Sequence, residues 1–146
     1  MFLYTIGFTQ KSARQFFELL EQNGVHKLLD IRLKPYGQHS GFSKKDDLAY
    51  FLDRLSGIEY HHLSELAPTD ELLKGYRADK DWNAYVQRFE TLMDEREIPG
   101  ALDRALFEDG AACLLCSEAA SEQCHRRLVA ERLATVWGDV EIRHLR

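Results

Sequence analysis

The densest chemistry in the chain lies in CLLCSEAASEQCHRR, residues 113–127, where two cysteines, two glutamates, a histidine and an arginine fall between positions 116 and 126. Such a set admits several chemistries. Ser121 is a good helix N-cap, and a helix over 122–137 would set Cys124 in its first turn, where free N–H groups point outward. There the helix dipole and Arg126 or Arg127 favour a thiolate at Cys124, and the same turn suits a phosphate or carboxylate. A metal site would use Cys116, Cys124 and His125, but seven residues separate the cysteines, unlike the two to four of a zinc knuckle. Adjacent helical residues also diverge by about 100°. No metal is therefore assigned. A cysteine phosphate loop built on Cys116 would need glycine and an early arginine, and SEAASEQ has neither. Cys116 and Cys113 read as small hydrophobes at the end of a buried strand.

A second set surrounds LLDIR, residues 28–32. Asp30 and Arg32 are two apart on a strand and share a face. They form either a pair that ties a loop, or an arginine that holds an anionic group with Asp30 orienting it or moving a proton. His61 and His62 point to opposite faces, so one of them is packed. His39, in the glycine-flanked QHSG loop, is free to approach a ligand. Lys34, Lys44, Lys45, Arg126 and Arg127 could assemble a local basic pocket.

These residues need elements to hold them. FLYTIG (2–7) is a continuous apolar run that suits a buried strand. Thr9 can cap a helix over 10–23, which Asn23-Gly24 would end. KLLDIR (27–32), IEYHHL (58–63), AACLLC (111–116) and VEIRHL (140–145) read as four more strands. Helices fit 45–55 and 81–97, with a short one from Pro99 to about Phe107, and 64–80 reads as a polar excursion with room for one short helix. This alternation predicts an α/β fold: a three-layer sandwich around a mostly parallel five-stranded sheet, Rossmann-like, in a single domain over 1–146. Ligands of such sheets sit beyond the carboxyl ends of the strands. Gly7, Asp30–Arg32, His61–His62 and Cys116–Glu118 all fall on that edge, with the helix start at 122–126 beside them.

The bulk properties narrow the setting. A chain of 146 residues with 45% hydrophobic and 29% charged residues suits a soluble globular protein. The N-terminus reads as a strand rather than a signal peptide, and no run is long enough for a membrane span, which points to the cytoplasm. Three cysteines, an odd number, argue against a disulfide framework. A net charge of −5 disfavours a whole-surface grip on nucleic acid but leaves a local basic pocket open to it. No cofactor is specified, and the oligomeric state stays open.

TIGFT, LLDIR-x2-P, a loop ending in GF, GIEYHHLSEL and LLCSEAASEQCHRRLVAERL together resemble the domain-of-unknown-function family 488, in order and over essentially the whole chain. The resemblance implies a small α/β protein, mostly bacterial and archaeal, without a settled activity. It carries over Asp30, Arg32, Cys116, Glu118, Cys124, His125 and Arg126 as the site. Two departures stand out. The family's Thr-Ile-Gly-His-Ser reads TIGFT here, so Phe8 replaces a histidine, and Leu-Gly-Gly is replaced by LAPTD. The expected function is an enzyme for a small anionic substrate, a nucleotide or nucleic-acid component. Arg32, Arg126, Cys116 and His39 would bind it, and Glu118, Cys124, His125 and Asp30 would supply the chemistry. The alternatives are a non-catalytic nucleotide- or partner-binding module and a metal- or thiol-dependent redox site.

Overall fold

The computed structural model describes residues 1–36, 38–118 and 121–146, with the backbone alone for 38–40. Five strands form one all-parallel sheet: β1 (Phe2–Gly7), β2 (Val25–Asp30), β3 (Glu59–His62), β4 (Ala111–Cys116) and β5 (Glu141–His144). Their order is β3-β2-β4-β1-β5, so β4 is central, with β2 and β1 as its neighbours. The central strands are apolar on both sides because both faces are covered, as parallel sheets require. Successive residues alternate between two cores.

On one face, Tyr4, Ile6, Leu28, Cys113 and Leu115 pack against Phe16, Phe17 and Leu20 of α1 (Ala13–Gln22) and Leu48 of α2 (Lys45–Phe51). On the other, Leu3, Leu29, Ala112 and Leu114 meet α3 (Asp70–Asp79), α4 (Trp82–Glu95), α5 (Ala105–Glu108) and α6 (His125–Trp137), through residues such as Leu72, Phe89, Phe107 and Val129. This is the expected three-layer α/β sandwich. Among the described residues no helix is long and apolar enough to cross a membrane.

Helix starts differ from the sequence reading in ways that matter for the site. α1 is capped by Ser12, which forms a reciprocal capping box with Gln15. Thr9 turns away from that role: its N–H and hydroxyl both donate to the carbonyl of Ser117, tying the end of β1 to the end of β4. α6 begins at His125, three residues later than expected. Its N-cap is Cys124, with no side-chain cap bond, and Ser121 is buried instead of capping. The helix that Pro99 was expected to open shortens to α5, and the polar excursion holds a full ten-residue helix, α3, capped by Thr69.

Candidate functional site

α6 sits over the end of β4 and is anchored to both neighbouring strands by its first two residues, which diverge as helical neighbours must. His125 reaches the end of β2, where its Nε2 lies 2.8 Å from the Ile31 carbonyl oxygen. Arg126 reaches the other way. Its Nε donates to the Thr5 hydroxyl of β1 at 3.2 Å, and its Nη1 contacts Cys116 Sγ at 3.0 Å and donates to the carbonyl of Glu118. These two anchors, rather than a serine cap, set where the helix begins.

Arg126 is 0% exposed, an unusual state for an arginine. Burial is the main influence on its guanidinium and weakens its hold on the proton, with Cys113 and Glu118 acting in the opposite direction. Gly7 makes this packing possible. A Cβ there would lie 1.5 Å from the Glu118 carbonyl oxygen and 2.7 Å from Arg126 Nη1, so only glycine lets β1 end against the 117–118 backbone.

A carbonyl oxygen only accepts, so His125 Nε2 carries the proton and donates it to Ile31. Burial of the ring pushes its pKa down to about 4, with Arg126 adding to the effect while the Ile31 bond and Asp30 oppose it. The imidazole is therefore neutral near pH 7, and Nδ1 keeps a lone pair. That nitrogen is 4.0 Å from Cys124 Sγ.

The sulfurs of Cys124 and Cys116 face each other, with their Cα atoms 7.7 Å apart, and Cys113 is buried in the core. The count and compartment argued only against a network of disulfides, whereas the strand end and the helix start bring one local pair together. Burial pushes the Cys113 thiol well up, which fits its place as a core side chain.

Asp30 and Arg32 also meet, at the end of β2. Arg32 Nε donates to Asp30 Oδ1 at 2.8 Å and Nη2 to Oδ2 at 2.7 Å, a bidentate fork. Nη1 and Nη2 then donate to the hydroxyl and carbonyl of Ser43, at 3.1 and 2.6 Å. Tyr60 donates its hydroxyl to Asp30 Oδ2, and burial together with Asp30 raises the phenol pKa far above its usual value. Phe8, which stands where the family usually has histidine, lies under the Arg32 guanidinium at 5.4 Å. The pair thus ties the 33–44 loop to β2.

His62 bonds the Arg32 carbonyl, and His61 lies beside Glu59 at the surface. The His39 side chain lies outside the described residues.

Between the ends of β2 and β4, on the α6 face, a cavity of about 510 Å³ opens. Arg32, Cys116, Glu118, Cys124 and His125 line it. Glu118 is exposed there. The far wall comes from residues that the sequence reading did not single out: Asp70, Tyr76 and Arg77 of α3, and Trp82 and Tyr85 of α4. The rings form a cluster, Trp82 stacking on Tyr85 at 5.1 Å and Tyr76 meeting both.

The Thr69 cap was the available signal for α3 and Tyr76, hidden because 64–80 read as a polar excursion with one short helix, whereas Trp82 and Tyr85 lie in the helix expected over 81–97 and read there as its buried face. Of the basic residues considered for a pocket, Lys34 lines the cavity and is 3.2 Å from Asp70. Lys44 pairs with Asp47 and Arg127 with Glu131. Among the described residues no group of three or more His, Cys, Asp or Glu is arranged to hold a metal ion.

The class of protein is thus a doubly covered parallel α/β sandwich with a polar, aromatic-walled cavity at its carboxyl edge. The chain belongs to the family described as domain of unknown function DUF488, whose model matches residues 12–133. No curated protein and no solved structure matches it.

Proposed function

We propose that the chain is an enzyme acting on a small anionic substrate that carries a flat ring, a nucleotide or nucleic-acid component, bound in the β2–β4 cavity. The observation that carries this reading is the meeting, in one cavity of mononucleotide size, of three aromatic rings, three cationic side chains and a neutral histidine. Lys34 and Arg77 would hold the anion, with Arg32 behind them as part of the floor. The Tyr76, Trp82 and Tyr85 cluster supplies an edge and face for a planar group. Glu118, exposed at the cavity and without a side-chain ion pair among the described residues, and His125, with a lone pair on Nδ1, would exchange protons with the substrate.

Calorimetric titration with the four common nucleoside monophosphates tests it. Binding of at least one is expected, and the Lys34→Ala/Arg77→Ala double variant should weaken it about tenfold or more. Failure of every nucleotide and of inorganic phosphate to bind would overturn the reading. If Glu118→Gln binds as the wild type does and every cellular effect of the protein survives the change, the chain is a binding module rather than an enzyme.

A further inference from the structure

We propose that Cys116 and Cys124 form a dithiol–disulfide exchange site that reacts with small thiols and disulfides, with Cys124 as the sulfur attacked from the cavity and Cys116 as the resolving partner. Three observations carry it. The two sulfurs face each other, and both residues line the 510 Å³ cavity with Cys124 4% and Cys116 1% exposed, so Cys124 is the one a small reactant meets first. Their surroundings differ in the sense that exchange requires. Cys116 Sγ lies 3.0 Å from the buried Arg126 guanidinium, which stabilises a departing thiolate. Cys124 Sγ lies 4.0 Å from His125 Nδ1, the nitrogen left without a proton by the Ile31 bond, and therefore has a base beside it.

The steps balance. A small thiolate RS⁻ attacks Cys124 Sγ, an R–S–Sγ bond forms, the Cys116–Cys124 bond breaks, and its electron pair leaves on Cys116 as a thiolate beside Arg126. A second RS⁻ attacks the sulfur of the R group. RSSR departs and the electron pair remains on Cys124. The two protons of the two RSH molecules end on the two cysteines. Two electrons have moved from the small thiols to the protein disulfide. In reverse, His125 Nδ1 takes the Cys124 proton, Cys124 attacks RSSR, and Cys116 displaces the remaining RS⁻. Cys113, buried in the core facing α1 and α2, takes no part.

This site does not depend on nucleotide binding, and an uncharged reactant separates the two ideas. The reduced full-length protein is mixed with bis(2-hydroxyethyl) disulfide, quenched in acid, alkylated and weighed intact. Wild type should retain one alkylatable thiol, with Cys116 and Cys124 recovered as one linked peptide. Cys116→Ser should accumulate a mixed disulfide on Cys124, and Cys124→Ser should react about tenfold more slowly or less. His125→Gln keeps a donor for the Ile31 carbonyl but lacks the base, and should slow the Cys124 reaction about tenfold.

Equal trapping by the two serine variants would overturn the assigned roles. A wild type that keeps all three thiols, or links Cys113 instead, would overturn the site. Should the variants fail to fold, as judged by circular dichroism, the wild-type peptide map alone decides. Loss of nucleotide binding leaves every one of these outcomes unchanged.

Discussion

Two clusters of charged and reactive groups stand side by side on the same sheet edge, and they are built on opposite principles. At the end of β2, Asp30 and Arg32 are 0% and 5% exposed, and their polar atoms are taken up by each other, by Tyr60 and by Ser43. At the end of β4, Glu118 is exposed, His125 keeps one nitrogen without a proton, and two cysteines line an open cavity. The first cluster is closed and the second is open to a ligand. Buried charges persist only when partners satisfy them, so the first arrangement holds a loop in place. The groups of the second cluster keep acceptor sites facing the cavity, and the proposed function places its proton transfers there.

The largest effect that would test this contrast is on stability. Asp30→Ala leaves the Arg32 guanidinium buried without its carboxylate, and should cost about 3–5 kcal/mol. Glu118→Ala should change stability by less than about 0.5 kcal/mol, because its exposed carboxylate makes no side-chain hydrogen bond among the described residues and reaches Arg126 only through a longer-range attraction. Urea unfolding of both proteins checks the pair. Similar losses in the two would erase the distinction between closed and open clusters. The same Glu118→Ala protein should lose turnover while keeping its fold, if the open cluster carries the chemistry.

Next in size is the junction that holds the open cluster together. Gly7→Ala drives a methyl group into the Glu118 carbonyl, which is backbone and cannot swing aside, and should cost about 3 kcal/mol. The fair control is Gly57→Ala. That glycine has φ of +63° and open space around it, so the substitution meets only backbone strain of about 1 kcal/mol. Equal midpoint shifts in urea would mean that the close approach of β1 to 117–118 is not what positions Arg126.

The legible parts of this molecule are those where local pattern and tertiary packing agree. β1 and β4 have the bounds that their apolar runs predict, because burial on both faces leaves no room for polar interruption. The convergence of Asp30, Arg32, Cys116, Glu118, Cys124, His125 and Arg126 on one edge follows from parallel strand polarity, which sequence alternation already implies. What pattern could not supply was the start of α6. Ser121 has the right chemistry for a cap, but the two long-range anchors at Ile31 and Thr5 lie more than ninety residues away in the chain and override it. Nor could it show what each arginine holds, since Arg32 and Arg126 differ by their three-dimensional partners and not by their neighbours in sequence. Tyr76 was missed for the related reason that α3 carries Gly75 and few apolar residues, so its helical period is faint, while Trp82 and Tyr85 fall on their expected helix without its facing the cavity being legible.

The smallest effect concerns His125 and reads the open cluster through pH. Its folded-state pKa of about 4 lies below the unfolded value near 6.5, chiefly because its ring is buried. Between those values the unfolded chain binds a proton that the folded chain refuses, so stability falls as pH falls from 6.5 toward 4. The part of that stability lost between pH 7.5 and pH 5 is on the order of 2 kcal/mol. His144 is shifted in the same direction by burial and by Arg126, so wild type alone does not isolate the effect. The comparison with His125→Gln does, because glutamine can still donate to Ile31 and has nothing to protonate. Urea midpoints measured at pH 7.5 and pH 5 should show a steeper loss in wild type than in the variant. Parallel losses would mean that the ring takes up a proton in the fold as readily as outside it, and burial would then not be what keeps the imidazole neutral.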